Sequence, residues 1–185
     1  GTFAATLTFS LEAAVLGAQW VINRGDPQLS KAAKDLLAKI EASIPERLRP
    51  YIDDPAHRVA PAYDRAKDMI DLGVVRNAIN GARKMRLKYR DVEGRATERV
   101  IWPILLGYYE TTRIICAWCE TRKDFRSFRS DRIVAASVLE DRYPERPAIM
   151  RVKWRKAMEA DWKRRKAEWA KNHGDAHHGG AQPGA

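Results

Sequence analysis

The sequence predicts an α+β fold: a helical hairpin and connector at the N-terminus, a compact five-stranded β-barrel in the centre, and an amphipathic helix at the C-terminus. Three observations carry this expectation. Near both ends of the chain apolar residues recur every three to four positions, the period of a helix face. Between residues 85 and 139 the period falls to two, and turn residues separate short runs rich in Val, Ile, Trp and Tyr, as strands require. The 185 residues are 45% hydrophobic and 31% charged, a composition of globular rather than disordered or membrane chains. The expected organisation is a helical connector region over 1–65, the barrel with its leading helix over 66–142, the C-terminal helix over 143–172, and a disordered tail over 173–185.

From Thr8, the residues Phe9, Ala13, Leu16, Trp20 and Val21 mark a first helix that stops at Gly25. Asp26 is an N-cap and Pro27 fits the first position of the next helix, whose stripe is Leu29, Ala32, Ala33, Leu36, Leu37 and Ile40. Pro45, Pro50, Pro55 and Pro61 forbid a long helix and leave an irregular linker or short turns. A helix is then expected over 66–83, with Ile70, Val74, Val75, Ala78, Ile79 and Ala82 on one face.

Met85, Leu87 and Tyr89 alternate with Lys84, Arg86, Lys88 and Arg90, which is a strand with an apolar and a basic face. Asp91–Gly94 turns the chain, and strands follow over 97–109, 113–120, 125–129 and 133–139. Pro103 lies inside the second of these and lacks an N–H for the ladder, so an edge or a bulge is expected there. The final helix runs over 147–172 and carries Met150, Trp154, Met158 and Trp162 at steps of four, with Trp169 beyond. Such a stripe is a packing seam, laid against the domain or against a second subunit.

A net charge of +10 points to an anionic partner, nucleic acid or nucleotide being the commonest kind. Two cysteines and no long apolar run leave a cytoplasmic protein without a membrane span as the expectation. Cys116 and Cys119 match C-x-x-C, but strand residues three apart point to opposite faces, so the thiols can share neither a disulfide nor a metal ion. His57 sits in the Pro-rich linker, and His173, His177 and His178 sit in the tail. None lies in a catalytic setting. With no phosphate-cradling glycine loop, nucleophile elbow or metalloprotease helix, the expectation is a binding module, not an enzyme, with no catalytic residue, no metal and no cofactor.

Between Arg122 and Arg132 the arginines interleave with Phe125 and Phe128. Guanidinium groups hold phosphate through forked hydrogen bonds and aromatic faces stack on bases, so the segment suits a nucleotide or a single strand. It also suits a salt-bridged edge in which Asp124 and Asp131 pair with Arg126 and Arg132. Alternation puts Arg126 and Phe128 on one face, and Phe125, Ser127 and Arg129 on the other.

Together, Ala78-Ile79 through Lys88-Tyr89, Arg99 through Pro103, Cys116 through Glu120 and Arg122 through Ile133 resemble the WYL domain, and specifically the YafY-like branch of WYL transcription regulators. Leu11 through Val21 and Gly25-Asp26-Pro27 resemble the helical region before that domain. The resemblance implies a Sm-like barrel that senses single-stranded DNA or another nucleotide-like anion, in a homodimer, and governs a winged helix-turn-helix that contacts duplex DNA. That head would lie upstream of Gly1, which reads as the start of a processed chain. The family's Trp-Tyr-Leu triplet is replaced by Arg113-Ile114-Ile115. The resemblance carries over Arg122, Arg126, Arg129, Arg132 and Phe128, and the expectation built on it is that Arg126 and Arg132 clamp a phosphate, that Arg122, Arg129 and the departing Arg113 add positive field, and that Phe128 or Tyr89 offers a stacking surface. A constitutive dimerisation scaffold and a Sm-like RNA-binding protein remain as alternatives.

Overall fold

The computed structural model describes residues 2–60 and 66–173. Helices α1 (Thr2–Arg24) and α2 (Pro27–Ser43) form a packed pair. Asp26 is its hinge: one carboxylate oxygen accepts from the N–H groups of Gln28 and Leu29, at 3.2 and 3.3 Å, and Pro27 opens the helix without wasting a donor. The prolines that follow confine helix to a 3-10 turn at Glu46–Leu48 and one turn of α3 (Pro50–Asp53). Leu11, Val15 and Leu48 bury against one another with Leu37, Ile40, Ile44, Tyr51 and Ile52, an apolar cluster drawn from hairpin and connector alone.

Helix α4 (Leu72–Asn80) is shorter than the 66–83 expected. Asp71 caps it through the N–H of Gly73 at 2.8 Å, so winding cannot begin earlier. The preceding residues run as irregular chain, and Asp68 among them is engaged by Arg113 and Ser130. The buried face is Leu72, Val75, Ala78 and Ile79, while Val74 is turned outward.

Strands β1 (Arg83–Arg90), β2 (Ala96–Tyr108), β3 (Arg113–Cys119), β4 (Asp124–Arg129) and β5 (Ile133–Arg142) make one antiparallel sheet in the order β4-β3-β2-β1-β5. The ladders leave β4 and β5 as separate edges, so the sheet is open where a closed barrel was expected. Alternation predicts which residues face inward but not whether the two edges meet. The bulge expected from Pro103 is present as a register shift between Pro103 and Leu105 against β3.

The two faces of the sheet carry different cores. On one, α4 covers Met85, Leu87, Ile101, Ile115, Ala117, Cys119, Phe128 and Ile133. On the other, Ile104, Cys116 and Tyr143 meet Met150 of α5 (Pro147–His173), with Trp102, Trp118, Phe125 and Trp154 around them. Trp102 stacks on Tyr143 with centroids 5.8 Å apart, and Tyr143 donates to the Pro103 carbonyl at 2.9 Å. The Trp–Met seam is therefore divided. Met150 and Trp154 pack on the sheet, whereas Met158 and Trp162 lie further along the helix and are exposed. The histidine-bearing tail from residue 174 onward, Pro61 and the boundary placed at 65/66 fall outside the described residues.

Candidate anion-binding cavity

Strand pairing decides which side chains share a face. Tyr89 opposes Thr97, Leu87 opposes Arg99 and Met85 opposes Ile101, so Arg99 projects on the side that α4 covers. On β3 and β4, Cys119 opposes Asp124, Ala117 opposes Arg126 and Ile115 opposes Phe128, which brings Arg126 and Phe128 to that same side. Helix α4 spans only part of this face. The remainder is a hollow of about 450 Å³ lined by Tyr89, Asp91, Thr97, Arg99, Cys119, Arg122, Arg126, Ser127 and Phe128.

Its floor is aromatic and fixed. Phe128 is buried and meets Tyr89 edge to face, with centroids 5.2 Å apart. The Tyr89 hydroxyl accepts from the Arg129 N–H at 3.4 Å, and the Thr97 hydroxyl donates to the Tyr89 carbonyl at 3.3 Å. Tyr89 is only partly buried where Phe128 is fully so, and any stacking falls to it rather than to Phe128.

The rim is cationic. Arg99 comes from β2, Arg122 from the β3–β4 turn and Arg126 from β4. Arg126 lies 3.1 Å from Asp124 with both side chains about half exposed, a pairing worth little in water. Among the described residues Arg99 and Arg122 have no carboxylate partner. Asp91, the hollow's one acidic residue, is occupied: it accepts from the N–H groups of Glu93 and Arg95 and from the Arg95 guanidinium. The Arg95 N–H leads the contacts that hold its carboxyl below the usual range. Three guanidiniums thus face a concavity whose own carboxylate is already engaged.

The other residues expected at the site lie elsewhere. Arg113 is 2% exposed, a core residue that ion-pairs with Asp68, donates to the carbonyl of Arg24 at the end of α1 and lies 5.6 Å from the Tyr108 ring centroid. It adds no charge to the cavity wall. Arg129 projects on the opposite face and is forked onto Asp131 at 3.0 and 2.8 Å, the contact that raises its own pKa and lowers that of Asp131. Arg132 lines a neighbouring hollow with Met69, Arg90, Val92, Ile133 and Val134, on the far side of Asp91. Arg126 and Arg132 therefore open into different hollows. Arg99 was missed as a site residue, although its alternation with Thr97 and Ile101 sets it on the inner face.

Cys116 and Cys119 are both free and buried, in the two different cores on opposite faces of β3. Burial pushes the Cys116 thiol up, opposed by a contact to the Ser127 hydroxyl at 3.8 Å.

Residues 71–138 match the family described as the WYL domain. The WYL match opens at Asp71, the cap of α4, and closes at Val138 in β5, so it contains the whole cavity. Among solved structures the chain is similar to proteasome accessory factor B/C (PafBC) of Arthrobacter aurescens, at 26% identity and a TM-score of 0.38. That similarity covers 40% of this chain and 12% of the other, so the matched region is a small part of that protein. No curated protein matches. No helix among the described residues is long and apolar enough to cross a membrane.

Proposed function

We propose that this chain is the ligand-sensing part of a transcription regulator and not an enzyme, and that its ligand is a nucleotide-like anion or a short single-stranded nucleic acid. The observation that carries the reading is the convergence of Arg99 from β2, Arg122 from the β3–β4 turn and Arg126 from β4 on one hollow. Forked guanidiniums suit phosphate, and the partly buried ring of Tyr89 suits a base. The WYL match supports the regulatory assignment. Duplex DNA would be read by a head outside the described residues, in a cytoplasmic homodimer of the YafY-like kind. Ligand binding would bias how the two heads are presented, which requires different affinities for two arrangements.

The test is a fluorescence titration of the chain with labelled single-stranded DNA at several salt concentrations. Saturable binding that weakens with salt is expected, with a slope set by the number of phosphates engaged. Arg126→Ala and Arg99→Ala should each weaken binding about tenfold and flatten that slope by about one phosphate. A scaffold whose arginines are structural binds without saturation and ignores both substitutions.

A further inference from the structure

Helix α5 is longer than its packing requires. Its 27 residues span about 40 Å, yet Met150 and Trp154, near its start, are the ones that join the core on that face of the sheet. From Met158 to Lys171 every residue but Asp161 is exposed. The projecting part holds its shape through ion pairs along its own surface, Lys163 with Glu159 and both Arg164 and Arg165 with Asp161. Those pairs account for the helix. They do not account for Trp162 and Trp169, which are 60% and 64% exposed on it.

From Arg151 onward the helix carries nine Lys and Arg against three Asp and Glu, a surplus of six in a chain whose net charge is +10. A second copy laid along it meets like charge. A bilayer surface takes a broad apolar face, and after Val152 the helix has no Val, Leu, Ile or Phe. Cations interleaved with tryptophan suit a polyanion that also offers flat rings, which is a single-stranded nucleic acid. Lys166 lies 5.0 Å from the Trp162 ring centroid, so charge and ring are presented together.

Between this helix and β4 lies a groove of about 550 Å³, walled by Phe125 and Arg126 on one side and by Met158, Arg164 and Arg165 on the other. Its two carboxylates are engaged, Asp124 with Arg126 and Asp161 with Arg164 and Arg165. The three arginine side chains are 55%, 68% and 76% exposed, and ion pairs so open to water are weak enough for phosphate to compete with the carboxylate. Arg126 also walls the cavity that holds Arg99 and Arg122. Strand β4 is an edge of the sheet, so one side chain borders the hollows on both of its faces, and cavity and groove adjoin there.

We propose that the groove and the projecting half of α5 form a second contact for single-stranded nucleic acid, continuing a strand whose end lies in the arginine-lined cavity. The contact presupposes the cavity reading and adds length to it. Several nucleotides are bound across the β4 edge, with Arg164, Arg165 and Lys166 on phosphates and Trp162 against a base.

The test is a fluorescence titration of the full chain with a labelled dinucleotide and with a labelled strand of about fifteen nucleotides, at several salt concentrations. The longer strand should bind about tenfold tighter, with a steeper salt slope. Arg164→Ala combined with Arg165→Ala should weaken the longer strand about tenfold and flatten its slope by about two phosphates, and Trp162→Ala should weaken it about fivefold. These side chains are exposed, so each variant should keep the parent's circular dichroism and its affinity for the dinucleotide. Arg99→Ala, which lies in the cavity, should weaken both lengths. Equal affinity of the parent for the two lengths would overturn the proposal and leave the cavity reading standing. So would α5 variants that weaken both lengths alike, or that leave the longer strand untouched while abolishing cosedimentation with phosphatidylserine vesicles or dissociating a dimer. A longer strand that responds to the α5 variants but ignores Arg99→Ala would sink the cavity reading and the continuity with it, and failure of both lengths to bind would overturn the two together.

Discussion

A single carboxylate, that of Asp26, holds three parts of the molecule. One oxygen caps α2, and the other accepts from the Tyr108 hydroxyl at 2.8 Å on β2 and from Arg76 on α4. Burial raises its pKa, but the Tyr108 hydroxyl, the Leu29 N–H and Arg76 outweigh that and leave it below the ordinary value of 3.8. A carboxyl whose folded pKa is depressed contributes stability that is present above the unfolded value and is lost as pH falls through the folded one. Urea unfolding measured from neutral pH into acid should therefore show stability falling below about pH 4. Asp26→Asn should cost about 2 kcal/mol at neutral pH and flatten that acid slope. Arg113 shows the same economy deeper in the fold. Arg113→Ala strips the partner from Asp68 and a donor from the Arg24 carbonyl, and should cost about 3–5 kcal/mol in urea unfolding while leaving ligand affinity in the folded protein unchanged. In sequence Arg113 reads as a surface cation, because its counter-ion lies 45 positions away and nothing local announces it.

At the scale of elements, alternation decides most of the chemistry. The inward set on β1, the grouping of Arg126 with Phe128 and the separation of the two cysteines all follow from the two-residue period, and all are legible in the sequence. Helix ends are legible where a side chain makes the cap, as Asp26 does. The expected start of α4 at 66 does not hold, because the local cap is Asp71 and Asp68 ahead of it is drawn across the fold to Arg113 and Ser130. Edge closure is a property of the assembled sheet, and no strand reports it. The cysteine geometry predicts behaviour: neither buried thiol should react with an aromatic disulfide reagent until the protein unfolds, and then both should react together. Rapid labelling of one thiol in the native protein would show β3 to be more open than its burial implies. Helix α5 is held to the sheet chiefly by Met150 and Trp154. Trp154→Ala should cost about 3 kcal/mol and expose the helix to limited proteolysis before the sheet is cut.

For the molecule as a whole, the decisive feature is how the hairpin is joined to the sheet. Its apolar cluster is closed within itself, so the connection is carried by polar contacts: Asp26 with Arg76 and Tyr108, Gln28 with Arg76 at 3.1 Å, and Arg113 with the Arg24 carbonyl. Arg76 takes part in most of these, and burial acting against it is outweighed first by Tyr108 and then by Asp26. Polar joints of this kind confer register more than they confer stability, since each group gives up water to make its bond. With the joint intact, hairpin and sheet should unfold in one cooperative step, the far-ultraviolet helix signal coinciding with the near-ultraviolet signal of Trp102 and Trp118. Arg76→Met removes the common partner and strands the Asp26 carboxylate without its cation. The helix signal should then fall at lower temperature than the tryptophan signal, resolving two units where there was one. Coincident transitions in Arg76→Met would mean that Arg113 and the Tyr108–Asp26 hydrogen bond suffice to bind the two halves, and the same measurement on Arg76→Met combined with Arg113→Met and Tyr108→Phe would then have to separate them.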